Sequence, residues 1–101
     1  MINLSSNRDS NLVPHFRQIA GVCERFGRSR GSVYADVKAG IFPPPIKLPG
    51  GGGSCGGPVR WIESELDEMA RAYVRGVTDR AALKLLVVEL VAKRERIAEA
   101  A

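Results

Sequence analysis

The sequence predicts a mainly helical fold with one small β-hairpin. Three observations lead there. Two short segments with apolar residues at helical spacing, each closed by a glycine, are separated by about three residues. A triple proline and a run of glycines then bracket two short β-favouring segments. Beyond them, apolar residues recur at spacings of three and four through the rest of the chain. The 101 residues, 45% hydrophobic and 26% charged, suit one compact domain and exclude a large cleft between two domains.

Residues 1–12 are rich in Ser and Asn without periodicity and read as a flexible N-terminal arm. From residue 19, Ile19, Val22, Cys23 and Phe26 fall at i, i+3, i+4 and i+7, the apolar stripe of a short helix that stops at Gly27. Phe16 is expected to pack just ahead of it. Ser29 then suits the N-cap of a second helix of about ten residues that stops at Gly40, with Val33 and Val37 facing inward. Two helices so closely joined form a helix-turn-helix, whose second helix is narrow enough to enter the DNA major groove. Gly31 lowers helix propensity in that second helix, yet removes a side chain where backbone could approach a phosphate.

Three prolines make residues 41–48 non-helical. Short strands at 46–48 and 59–62 can pair as a hairpin across the loop 49–58, giving the wing of a winged helix. The glycine run lacks the Gly-Lys-Ser/Thr ending of a phosphate loop and leads into a strand rather than a helix, so a nucleotide site is not expected. Trp61, the single tryptophan, is expected beneath the wing as core.

A third helix follows, with Leu66, Met69, Ala70, Tyr73, Val74 and Val77 on one stripe and an end near Gly76. Glu63, Glu65, Asp67 and Glu68 at its start complement the helix dipole. Thr78 is expected to cap a fourth, long C-terminal helix reaching about residue 98, on the order of 30 Å. One of its stripes holds Leu83, Leu86, Val87, Leu90 and Ile97, while Leu85, Val88, Val91 and Ala92 make the other side apolar as well. A helix apolar on both sides must be covered on both, which predicts a homodimer with Leu83, Leu86, Val87, Leu90, Val91 and Ile97 as candidate contacts. The expected organisation is thus an arm at 1–12, a winged helix-turn-helix DNA-binding domain at 13–77, and a dimerisation helix at 78–101.

The charge is uneven. Residues 1–60 hold eight Lys and Arg against three Asp and Glu, a surplus of +5, whereas residues 61–101 hold seven against eight. A polyanion partner is therefore to be sought in the first part. Cys23 and Cys55 are too few and too far apart for a paired-cysteine zinc site, and His15 has no partner at catalytic spacing. A non-enzyme without cofactor or metal is expected. No apolar run reaches the length of a membrane span and residues 1–12 are too polar for a signal peptide, so a cytoplasmic location is expected.

The segments IAGVCERFGRSRGSVY at 19–34, KAGIFPPPIKL at 38–48 and RWIESELD at 60–67, in this order, resemble the AlpA family of phage and prophage regulators, relatives of excisionases and of MerR-like winged helix proteins. The likeness covers about residues 16–75; Ala35 stands where the family often carries a basic residue, and the loop 49–58 is longer than the usual wing turn. The resemblance implies sequence-specific binding of double-stranded DNA by a phage-type transcriptional regulator. Candidate DNA contacts are Gln18, Arg28, Ser29, Arg30, Ser32, Tyr34 and Lys38 around the second helix, and Lys47, Ser54 and Arg60 in the wing. Arg30 is the expected reader of a guanine edge, and Asp36 could accept from a cytosine. A phage integrase or RNA polymerase is a possible protein partner. Alternative readings are an excisionase-like directionality factor, a terminase small-subunit-like packaging protein, and a protein-interaction adaptor whose basic half is only a solvated surface.

Overall fold

The computed structural model describes residues 14–50 and 58–100. The expected arm at 1–12 and the hairpin tip with Ser54 and Cys55 lie outside them. The described chain is mainly helical with a small antiparallel sheet: β1 (Phe16–Arg17), α1 (Ile19–Phe26), α2 (Arg30–Ala39), β2 (Ile46–Lys47), β3 (Val59–Ile62), α3 (Glu63–Val74), α4 (Arg80–Ala92) and α5 (Arg94–Ala100).

The two short helices form where their local signals put them. Val22 of α1 is buried, and Ile19, Cys23 and Phe26 pack against the core beside it. Gly27 and Gly40 end α1 and α2 with φ of 64° and 81°, a left-handed turn that a Cβ would strain. Ser29 caps α2, its side chain accepting a hydrogen bond from the Ser32 amide at 3.2 Å, and Val33 is buried while Val37 packs on the core.

The sheet has three strands in the order β1-β3-β2 rather than the two of a simple hairpin. On one side Ile46 pairs Arg60 and Lys47 pairs Val59; on the other Phe16 pairs Ile62 and Arg17 pairs Trp61. A two-residue strand is too short to display the alternation that betrays a strand, so β1 left no periodic signal. Phe16 is about half exposed and does not pack ahead of α1 as expected. The proline segment lies inside, with Ile41, Phe42 and Pro43 buried. Trp61 is fully buried, as its strand position predicts, and its indole Nε1 donates to the Pro43 carbonyl at 2.8 Å. Phe26 meets Phe42 and Tyr73 edge to face at centroid distances of 5.6 and 5.9 Å, joining α1, the proline segment and α3.

Three expectations about the second half need correction. On α3, Leu66 and Met69 are buried and Tyr73 packs against the core as expected, but Ala72 joins them and Val74 is 88% exposed. The helix stops at Val74 and turns through Gly76, where the Val77 amide bonds the Ala72 carbonyl and carries Val77, not Val74, back to the core. Next, Asp79 rather than Thr78 caps α4, its carboxylate accepting from the Ala82 amide at 3.1 Å. Lastly, the long helix breaks at Lys93 into α4 and α5.

α4 also belongs to the core. Leu83, Val87 and Leu90 are buried in the same cluster as Trp61, Phe42 and Leu66, so the packing does not divide at residue 78. Leu86 packs against that cluster and Ile97 is half-buried. Most of the residues expected to meet a partner are therefore occupied within the chain. Leu85 and Val88, 67% and 65% exposed, and the less exposed Val91 form the outer face. No helix among the described residues is long and apolar enough to cross a membrane.

Candidate nucleic-acid interface

The face of α2 turned away from the core carries Arg30, Gly31, Tyr34, Ala35 and Lys38, all exposed. Arg30, Tyr34 and Lys38 follow at steps of four, which on a 3.6-residue helix gives one row along one side. Val33 and Val37 anchor the opposite side, and the Tyr34 ring rests edge-on against Trp61 at 5.8 Å between centroids. The row is thereby fixed in rotation about the helix axis and set beside β3.

Ion pairs decide which of the basic residues are free. Arg17 of β1 and Arg25 of α1 converge on Glu63 at the start of α3, Arg17 at 2.6 Å, and Arg25 bonds Asp67 as well, at 2.7 Å. The acidic start of α3 thus ties β1 and α1 to α3, besides favouring the positive end of the helix. Arg28 is held by Asp36 and by the Ser32 hydroxyl. The polar groups of Arg28, Ser32 and Asp36, three of the residues expected to contact DNA, thus satisfy one another beside the first turns of α2. Ser29 uses its oxygen on the cap.

The surplus of the first sixty residues accordingly concentrates. Among the described residues of that segment, Arg30, Lys38, Lys47 and Arg60 have no ion-pair partner. Gln18 precedes α1 as an exposed N-cap residue whose side chain makes no cap hydrogen bond. Lys47 and Arg60 sit on the paired strands β2 and β3, and the register gives Lys47 the face of Val59 and Arg60 the face of Ile46. They therefore flank the hairpin on opposite sides, so only an edge-on approach would reach both. Arg60 also donates to the Val59 carbonyl at 2.9 Å and is half-buried, whereas Lys47 is exposed.

Other surfaces differ in kind. The groove between α3 and α5 mixes Asp67 and Glu68 with Arg71, Lys93 and Arg96, and so presents neither sign. Among the described residues no group of three or more His, Cys, Asp or Glu is arranged to hold a metal ion. Burial pushes the Tyr73 hydroxyl above its ordinary pKa of 10.0, with Arg28 lowering it and Asp36 raising it, so Tyr73 stays a neutral phenol near neutral pH.

Sequence reasoning missed the paired Arg17 and Arg25 and the bond between Arg94 and Glu65. Arg28, Ser32 and Asp36 did carry a signal, since opposite charges at i and i+8 with a hydroxyl at i+4 fall in one row of a helix and its entry. No family model, no curated protein and no solved structure matches this chain. The functional reading rests on the residues just described.

Proposed function

We propose that this protein binds double-stranded DNA through a winged helix-turn-helix, with α2 in the major groove and the β2–β3 hairpin as the wing, and acts as a phage-type transcriptional regulator. One observation carries the reading. Arg17, Arg25 and Arg28 are neutralised by carboxylates, whereas Arg30 and Lys38 stand free in one row on the exposed side of a short helix rigidly backed by Val33, Val37 and Trp61. Among the described residues of the first sixty, the cations without an ion-pair partner lie on this helix face and on the adjoining hairpin, where a polyanion could meet them. In this reading Arg30 meets a base edge and Lys38, Lys47 and Arg60 meet phosphates.

A second copy is the occupant proposed for the outer face of α4. Leu85, Val88 and Ala92 repeat at three and four, and Lys84 and Glu89 flank that seam so that parallel helices set Lys84 of one copy against Glu89 of the other. The face is small beside the roughly 1,200–2,000 Å² of a standard stable interface, so association is weak in free solution and gains from two copies on neighbouring half-sites.

The test is selection of binding sequences from a random duplex library, followed by affinity measurement over a range of salt. Enrichment of one motif, with affinity falling steeply as salt rises, is the expected result. Absence of any salt-sensitive retention on duplex DNA at low salt would refute the proposal.

A further inference from the structure

Gly31 is a glycine that the fold does not need. Gly27, Gly40 and Gly76 hold positive φ, and a Cβ at Gly21 would come within 2.7 Å of the Arg17 side chain where it crosses α1. Gly31 has neither reason: its φ is not positive, and a Cβ there would meet no atom within 4 Å. It is exposed, lies in the first turn of α2, and stands next to the unpaired Arg30. Inside a helix glycine is the least favourable residue apart from proline. The sequence thus carries a weakness in the helix whose outer face holds the unpaired Arg30 and Lys38, and no contact at that position offsets it.

We infer that Gly31 is a specificity-determining residue of α2, kept bare so that the start of the helix can lie directly against DNA. The inference rests on the DNA reading above and deepens it. A helix with its side chains is about 10–12 Å across, and the major groove is about 12 Å wide, so clearance is short and one methyl group changes how deeply the helix seats. Ala35, one turn further along and also exposed, continues the low-profile strip beside the row Arg30, Tyr34, Lys38. With Gly31 bare, Arg30 is brought within reach of a base edge instead of stopping at the phosphates. A methyl at Gly31 holds the helix off and weakens the specific contact more than the general electrostatic attraction.

The experiment compares the full chain with its Gly31→Ala variant, using Arg30→Ala as a control for base reading. Binding is measured on the selected duplex and on sheared random-sequence duplex DNA, and thermal unfolding is followed in parallel. The expected result is opposite in sign for the two properties. Tm rises by about 2–6 °C, because alanine favours the helix. Affinity for the selected duplex falls at least about tenfold, while binding to random duplex changes much less. Unchanged affinity for the selected duplex, or a fall in Tm that marks the glycine as a need of the fold, overturns the inference while the DNA reading stands on the binding of the unaltered chain. Failure of the unaltered chain to bind either duplex overturns both.

Discussion

Arg94 grips Glu65 with two hydrogen bonds, at 2.7 and 2.8 Å, and spends a third on the Pro44 carbonyl at 2.7 Å. Glu65 is only 1% exposed, so this guanidinium is what makes its burial tolerable. The bond spans three parts of the molecule: the first turn of α3, the proline segment after α2, and the first residue of α5. The pair falls directly after the break at Lys93 and ties the start of α5 to α3.

Removing one member of that pair leaves a buried charge. Arg94→Ala is expected to cost about 3–5 kcal/mol, measured by urea unfolding, because Glu65 loses its counter-ion and both bonds. The double variant Glu65→Leu with Arg94→Met should recover most of that loss. Equal instability in the single and double variants would mean that shape, not charge, is at stake.

The free arginine of α2 and the clamped arginine just before it should separate in their effects. Arg30→Ala is expected to lose about 1–3 kcal/mol of binding on the selected duplex and to relax preference at one position, with stability unchanged. Arg28→Ala should instead lower stability by about 1 kcal/mol, since Asp36 and Ser32 lose their shared partner. Equal loss on every DNA sequence for Arg30→Ala would contradict base reading by this residue.

Lys47 belongs to the phosphate side of the proposed contact. Lys47→Ala should weaken binding alike across sequences and make the slope of log affinity against log salt shallower by about 1. A change in the selected motif would show a different role.

The two sides of α4 predict two different outcomes. Leu90→Ala opens a cavity in the core and should destabilise the chain by about 2–4 kcal/mol. Leu85→Glu touches only the outer face and should leave Tm within a few degrees while abolishing self-association in sedimentation and any cooperativity on paired sites. Retention of both by Leu85→Glu would exclude this face as the meeting surface.

Tyr73 gives stability a dependence on alkaline pH. Its pKa is raised in the folded state, so its contribution is fully present below about 10 and is lost as pH climbs through the folded value. Tyr73→Phe should remove that part of the alkaline loss, seen as the difference between the two unfolding curves from pH 9 upward. Superimposable pH profiles would refute the assignment.

What could be read in advance follows the range of the forces involved. α1 and α2 were legible because their stripes, the Ser29 cap and the closing glycines all act within a few residues. The β2–β3 pairing was legible because the prolines exclude helix and the following segment favours strand. Neither β1 nor the ion pair of Arg94 with Glu65 was legible, since each joins residues far apart along the chain, β1 to β3 and Arg94 to a carboxylate 29 residues earlier. The candidate contacts fared unevenly for the same reason. Arg30 and Lys38 stand where helical geometry puts them, while Arg28 was claimed by Asp36 through a side-chain contact that spacing only hinted at. Nothing local marks Leu83, Val87 and Leu90 as core rather than partner surface, because their tertiary neighbours, Trp61 and Leu66 among them, arrive from distant segments.

Trp61 makes the protein its own gauge. It is the single tryptophan, with the Tyr34 ring on one side and the Pro43 carbonyl on its indole nitrogen, so its emission arises from the seam between α2 and β3 and from nowhere else. Any ligand that tilts α2 or strips Tyr34 from that ring will change the colour or intensity of one fluorophore, and the event can be followed in real time without attaching a label.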